Sequence, residues 1–397
     1  MRRVFPQHRF LRLFPRAIAL RLALLALVVS GAAFRSSAQV PATIADQMTS
    51  DEHLAKPGWW PRKGDAPRGD YVGAKVCAEC HSDLVQTQQQ HAMAHTSMPV
   101  SQSDHLNPPG KFDLGPYHFT IGADKKGATY SVSDGTQTFS APVIWAVGSG
   151  TRGQSYLFER GGDLYEARIS FFRDLGFNIT PDHPTSIPDS LEHAIGRKIN
   201  TDEAPNCLGC HATAVVVSGK IDTAHLITGI SCEGCHGPGA AHVALARSGT
   251  SSPGLISNPA HLDPATSVDF CGSCHRTWWD INQLGYRGIH NVRFPAYRLE
   301  GSRCWGKGDA RITCIACHDP HKPLVSEDSQ YDAKCLSCHV KSAAMTATAE
   351  HPGRGCPVAK SNCVSCHMPK YQLDQMHSPF TDHRIRIVRD ANAFPDE

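Results

Sequence analysis

Two thiols and an imidazole recur in the order Cys-x-x-Cys-His seven times along the chain. The copies are Cys77, Cys80, His81; Cys207, Cys210, His211; Cys232, Cys235, His236; Cys271, Cys274, His275; Cys314, Cys317, His318; Cys335, Cys338, His339; and Cys363, Cys366, His367. With 16 Cys and 23 His in 397 residues, random placement gives about 0.04 matches. A dithiol redox pair would use the thiols and leave the imidazole without a task. A structural zinc site takes four ligands, and nothing in it demands His directly behind each second Cys. Covalent haem demands that order. The two thiols add to the vinyl groups on one porphyrin edge, and the adjacent His turns beneath the ring as proximal iron ligand. The pattern predicts seven covalently bound haem c groups, with those 14 cysteines as attachment points and those seven histidines as proximal ligands.

Cys304 and Cys356 lie outside the motifs. As an even pair in a chain read below as exported, they are expected to form a disulfide.

Fifteen histidines stand outside both the motifs and the N-terminal leader, and full bis-histidine ligation would use seven of them. His321 follows His318 by three residues, a reach of at most roughly 10 Å. That is too short to carry the chain round the porphyrin to the other face of the same iron, so His321 is expected to ligate a neighbouring haem. His242, behind Cys235-His-Gly-Pro-Gly, repeats the device with a longer offset, and Gly237 and Gly239 let the backbone pass close. His91 and His95 fall in Leu84–His95, read as helical, where their spacing of four would put them on one face. His91 is preferred. His377 and His383 flank Ser-Pro-Phe-Thr-Asp beyond the last motif, where the tail can fold back. The expected distal ligands are thus His91, His242, His321, His377 and His383.

The elements that must hold these groups divide unevenly. Six motifs crowd into 207–367, whereas 130 residues separate the first motif from the second. So little chain per haem predicts a mostly irregular and α-helical multihaem fold, with short helices wrapped round seven haems. The wide gap reads as a small antiparallel β insertion. Its short β-rich runs, His118–Ile121, Ala128–Val132, Val143–Val147, Ser155–Phe158 and Leu164–Phe172, are punctuated by Asp124-Lys-Lys-Gly127, Asp134-Gly135 and Arg160-Gly-Gly-Asp163. Gly148-Ser-Gly-Thr-Arg-Gly153 matches a dinucleotide-binding pattern in form. It runs into another strand candidate rather than a helix, so it is read as a turn. The expected division is a leader at 1–38, an N-terminal arm and first haem segment at 39–105, a haem-free β-rich insertion at 106–182, and a six-haem part at 183–397.

Residues 1–38 hold seven arginines, no lysine and no acid, then the apolar run Leu22–Val29 and Ser36-Ser-Ala38. This is the pattern of a cleaved signal peptide, too short for a membrane span, and it predicts a periplasmic protein or one exported to the cell surface. The formal charge of the whole chain is +2; without the leader, Lys+Arg falls from 39 to 32 against 37 acids, a net −5. Seven ferric haems with ionised propionates take it to about −12. Nothing there fits nucleic acid, and an acidic surface steers toward basic patches on redox partners.

With Tyr71-Val-Gly, Gly148-Ser-Gly, Ser155-Tyr-Leu157, Cys232-Glu-Gly-Cys-His-Gly-Pro-Gly239, Cys317-His-Asp-Pro-His321, Cys363-Val-Ser-Cys-His-Met-Pro369 and Thr381-Asp-His-Arg384, the chain resembles a family of multihaem c-type cytochromes. That family includes the four-haem cytochrome of ammonia oxidisers and hydroxylamine oxidoreductase. The nearest likeness is to multihaem proteins that often carry tetratricopeptide repeats, although no such repeat lies within this sequence. The resemblance implies bis-histidine ligation through His242, His321 and His383, and haems packed in close pairs. No Cys-x-x-Cys-Lys motif is present, so the lysine-ligated haem of pentahaem nitrite reductase has no counterpart. The tyrosine crosslink of hydroxylamine oxidoreductase matches no residue here.

The expected function is relay of single electrons between exported partners, either redox proteins or quinol-linked cytochromes. The rivals are an oxidoreductase with one open-coordinate haem acting on a small nitrogen or sulfur compound, and a self-assembling subunit of an extracellular filament or outer-membrane conduit.

Overall fold

The computed structural model describes residues 66–200, 204–217, 220–222, 225–250, 255–305, 311–339 and 356–388. The leader at 1–38 and the first part of the 39–105 segment, up to residue 65, lie outside these residues.

Alternation of apolar and polar side chains with a period of two drives the larger element, an antiparallel sheet. Its strands are β1 (Ser97–Pro99), β2 (Gly110–Leu114), β3 (Tyr117–Asp124), β4 (Gly127–Ser133), β5 (Thr138–Val147), β6 (Gly153–Arg160), β7 (Asp163–Ala167), β8 (Ile169–Phe172), β9 (Gly176–Ile179) and β10 (Gly196–Lys198). The order β10-β7-β6-β5-β4-β3-β2 is a meander, with β1 paired to β5 and β8 joining β6 to β9. Tyr117, Phe119 and Ile121 of β3 and Ala128, Tyr130 and Val132 of β4 point to the buried side. There the rings of Tyr130 and Phe158 lie 5.4 Å apart. Arg160 pairs with Asp163 across a two-residue turn, and Gly161 and Gly162 take φ of 61° and 86°. Positive φ at both central residues is what such a hairpin requires, and glycine supplies it without strain.

The glycine-rich stretch 148–153 is the loop between paired strands β5 and β6, in keeping with its reading as a turn. The run read as one strand at Leu164–Phe172 is two, broken at Arg168. The Arg168 guanidinium donates to the carbonyls of Pro184, Ser186 and His193. The sheet is also larger than a small insertion. β1, β2, β9 and β10 are short edge or terminal strands whose lengths of three to five residues show too little alternation to be read.

A bulge between Val143 and Trp145 re-aims β5. Val143 faces the Tyr130 core, whereas Trp145 and Val147 join Leu157 and Leu164 on the opposite side, against Leu208, Ala212 and Val215. The sheet therefore packs directly on the second motif, whose spacer contributes Leu208.

The helices are short: α1 (Ala74–Gln88), α2 (Leu191–Ala194), α3 (Ala204–His211), α4 (Cys232–His236), α5 (Ala240–Arg247), α6 (Pro264–His275), α7 (Trp278–Leu284), α8 (Pro295–Glu300), α9 (Cys314–Cys317), α10 (Asp332–Leu336) and α11 (Cys363–His367). Among them lie 3-10 turns and three two-stranded ribbons, Ala212–Thr213 with Ile227–Thr228, Val216–Val217 with Lys220–Ile221 and Lys370–Leu373 with Ser378–Thr381. Their apolar clusters are small; one gathers Val268, Ala296, Leu299 and Trp305. Among the described residues no helix is long and apolar enough to cross a membrane.

Candidate functional site

Every motif begins in a helical turn. Five of them end or lie wholly within α1, α3, α4, α6 and α11. The other two close the same turn by backbone bonds, from His318 N to Cys314 O at 2.8 Å and from His339 N to Cys335 O at 3.0 Å. A helical turn puts residues i, i+3 and i+4 on one side, so both thiols and the imidazole of each motif share a face. Local caps start two of these turns. Asp263 accepts from Thr266 N at 3.1 Å ahead of α6, and Thr313 accepts from Ala316 N at 3.3 Å ahead of α9.

The motifs meet through their first cysteines. Cys77 and Cys232, Cys271 and Cys314, and Cys335 and Cys363 are neighbours that perturb each other's thiols. These thiols stand in for the thioether sulfurs of an attached cofactor. Within the first two pairs the neighbouring thiol raises one partner (Cys77, Cys271) and lowers the other (Cys232, Cys314). Burial pushes Cys235 up to about 12. The second motif approaches the fourth, with Cys210 Sγ 3.8 Å from Ser273 O.

Among the motif and expected distal histidines, five imidazoles have Nδ1 committed to an oxygen. The partners are Thr96 O for His211 at 3.2 Å, Ser257 O for His236 at 2.7 Å, Arg386 O for His367 at 2.8 Å and Thr381 O for His383 at 3.0 Å. His318 Nδ1 lies 3.3 Å from the Tyr331 hydroxyl, which itself donates to Val325 O. Donation from Nδ1 to an oxygen sets the tautomer and leaves Nε2 bare for a metal. Desolvation lowers the pKa of His236, His275 and His318, and burial beside His318 pushes His383 down to about 4. Neutral imidazole is the form that binds iron. His275 keeps accessible surface although chain surrounds it, with His91, His211 and His318 as electrostatic neighbours.

Two pairs of imidazoles face each other. The His236 and His321 rings are 6.0 Å apart and within 12° of parallel; those of His318 and His383 are 6.3 Å apart at 47°. Two metal–nitrogen bonds of about 2 Å, plus the half-widths of two five-membered rings, place the centroids of a bis-imidazole pair about 6 Å apart. The donor set thus fits haem iron, with paired thiols beside it.

The other expected ligands are placed as follows. Helix α1 stops at Gln88 and a separate 3-10 turn covers Ala92–His95, so His91 and His95 do not share a helix face. His91 caps that turn, its Nδ1 3.0 Å from Met93 N, and lies within electrostatic reach of His275 and His318. His242 is half-buried on α5. His377 has φ of 46°, meets Phe172 edge-on at 4.6 Å, and lines a cavity of about 200 Å³ with His183 and Asp374. His81 and His339 are exposed. The expected disulfide is not formed. Cys304 is half-buried, while Cys356 is exposed, with the backbone N–H groups of Ala359 and Val358 drawing its thiol pKa down.

Sequence reasoning missed the residues that brace this set. Glu233, inside the third motif, is buried and accepts from Val72 N, Gly73 N and Gly239 N at 2.9, 2.8 and 2.9 Å. A Cβ on Gly239 would lie 3.0 Å from Val72 and 3.2 Å from Glu233, so this close approach is what its glycine serves. Asp382 is bound by Arg298 and Arg386 next to His383. A signal did exist in each case, an acid in a motif spacer and an acid beside a histidine. Glu79, also in a spacer, is instead exposed and paired with Arg247 at 2.7 Å, so spacer chemistry alone does not discriminate.

Comparison with known proteins places the site in context. The family described as "Cytochrome c554 and c-prime" matches residues 185–237, which hold the second and third motifs. A multiheme cytochrome MtrA of Shewanella baltica (strain OS185) is 26% identical over 200 residues, 46% of this chain and 52% of that protein. The chain thus spans about half the length of that relative. Among solved structures, the crystal structure of outer cell wall cytochrome OcwA aligns over 80% of each chain at 16% identity and a TM-score of 0.49. With paired thiols and a following imidazole in every motif, a matching cytochrome family and a multihaem relative, the chain is a multihaem c-type cytochrome.

Proposed function

We propose that the protein is an exported seven-haem electron carrier, passing single electrons between redox proteins or quinol-linked cytochromes outside the cytoplasm. In this reading each of the seven motifs attaches one haem, and a haem-free segment over 106–182, which carries most of the sheet, separates the first from a six-haem part at 183–397. His321 is the distal ligand of the haem bound by His236, and His383 that of the haem bound by His318. His242 and His377 serve further irons, and His91, positioned near His275, joins them on giving up the Met93 N–H bond that its Nδ1 accepts. Kinship with hydroxylamine oxidoreductase belongs to the same reading.

The observation that carries it is the pair of facing imidazoles at 6.0 and 6.3 Å. An iron held between two imidazoles supplies one-electron exchange with little ligand rearrangement. The protein's own part is to keep those imidazoles neutral, fix their tautomers through the Nδ1 bonds, and exclude small molecules from the iron by filling both faces. Electron paramagnetic resonance of the oxidised, matured protein should show low-spin signals throughout, and the reduced protein should not bind carbon monoxide. A high-spin, carbon-monoxide-reactive haem in the unaltered protein would favour the oxidoreductase instead.

A further inference from the structure

Among the attachment helices, α1, α4, α10 and α11 have no side-chain cap of their own, and two of these, α1 and α11, take an acceptor from elsewhere. Gly73 precedes α1 and has no side chain to offer, and the Asn362 side chain ahead of α11 makes no capping bond. By contrast α6, α7 and α9 are capped by their own Asp263, Thr277 and Thr313. N–H groups at a helix start need acceptors, and leaving them unmet inside a protein is costly.

In both cases the acceptor comes from a different motif. Glu233, flanked by Cys232 and Gly234 within α4, takes the N–H groups of Val72 and Gly73. Asp332, the first residue of α10 and three before Cys335, takes those of Asn362 and Cys363 at 2.7 and 2.8 Å. These are two of the three places where first cysteines are close enough to perturb one another, Cys77 with Cys232 and Cys335 with Cys363. Hydrogen bonding to those N–H groups holds the Asp332 carboxyl below the usual carboxylate range.

We propose that Glu233 and Asp332 are positioning residues that lock the first motif to the third and the seventh to the sixth. The proposal rests on the haem reading above. Each carboxylate stands on the motif helix itself, so no flexible loop intervenes between one attachment site and the cap of the next. Two bonds to consecutive N–H groups fix both the position of the capped helix along its axis and its rotation about that axis. Cys77 lies one turn inside its capped end and Cys363 at the very start of its helix. Each clasp therefore sets the separation of two sulfurs, and with it the separation of the groups they carry. A neutral amide at either position keeps the size but turns an NH2 group toward an N–H, so at least one bond is lost.

The test uses full-length, matured Glu233→Gln, Glu233→Ala, Asp332→Asn and Asp332→Ala. Intact mass under denaturing conditions reads the haem count, and a spectroscopic redox titration with electron paramagnetic resonance reads the paired centres. The expected result is an unchanged haem count with displaced midpoint potentials for two transitions. A different two should move in the Glu233 and Asp332 variants, and all four in the double variant. An unchanged count with unchanged potentials and spectra in both alanine variants overturns the proposal. Absence of haem from the unaltered protein would overturn the haem reading instead, a separate outcome. Should the variants fail to mature, hydrogen exchange in the unaltered protein decides. Slow exchange of the Val72, Gly73, Asn362 and Cys363 amides supports the clasps, and fast exchange at these four removes them.

Discussion

Arg298 donates to both carboxylate oxygens of Asp382, at 2.8 and 3.0 Å, with only 2% and 0% of the two side chains exposed. Arg386 adds a bond of 2.6 Å, and the Arg384 N–H another of 3.0 Å. Burial alone would push the Asp382 carboxyl up; the bonds and charge of Arg298, aided by Arg384 and Arg386, outweigh it and hold the group below the usual carboxylate range. Asp382→Ala strips the buried Arg298 guanidinium of this carboxylate, a change that costs about 3–5 kcal/mol when a buried pair loses one member. Thermal unfolding of the matured protein should fall by a matching amount. A midpoint within error of the unaltered protein would sink the claim that this pair anchors the His383 segment.

The facing imidazoles make a sharper prediction. In His321→Ala all haems should remain attached, because thioether bonds and proximal ligands are untouched. One low-spin haem should become high-spin and bind carbon monoxide when reduced. His383→Ala should do the same to a different haem, and the double variant should expose two. A spin state unmoved by either change removes that histidine from the ligand set.

Seven motifs predict an intact-mass increase of seven haems over the processed chain, accompanied by loss of residues 1–38. Six or fewer in a fully matured sample contradicts the count.

Cys356 offers a chemical check on the corrected disulfide. It is exposed, and the N–H groups of Ala359 and Val358 lower its thiol pKa, which favours the reactive thiolate. Iodoacetamide should label it at neutral pH without prior reduction. Labelling that appears only after reductant would restore a disulfide.

Periodicity made the centre of the sheet legible. Long strands such as β3 to β6 expose one face and bury the other, and their glycine or aspartate turns are short and local. β1 and β10 escaped because their partners, β5 and β7, are distant in sequence, and β2 and β9 because so few residues show too little alternation of their own. The attachment cysteines were legible because a covalent link demands a fixed spacing. The helix read over Leu84–His95 stopped early because a histidine cap on Met93 and a turn at Gln89 and Gln90 compete with helix propagation. Glu233, Asp332 and Asp382 were not recognised because their partners lie 160, 30 and 84 residues away. Only the folded chain brings them together.

The meander from β2 to β7 joins each strand to its sequence neighbour, whereas Gly73 waits for Glu233, His236 for His321 and His318 for His383. Short loops close at small entropic cost, and long ones add delay. The sheet is therefore the part able to form early and unaided, and its Trp145 face then offers a surface on which Leu208 and the second motif can settle. Arg152, in the loop after β5, reaches Ser378 and Pro379 near the opposite end of the described chain. That contact closes a loop of 226 residues, so it ties the strand-rich part to the tail at a larger entropic cost than any of these other contacts.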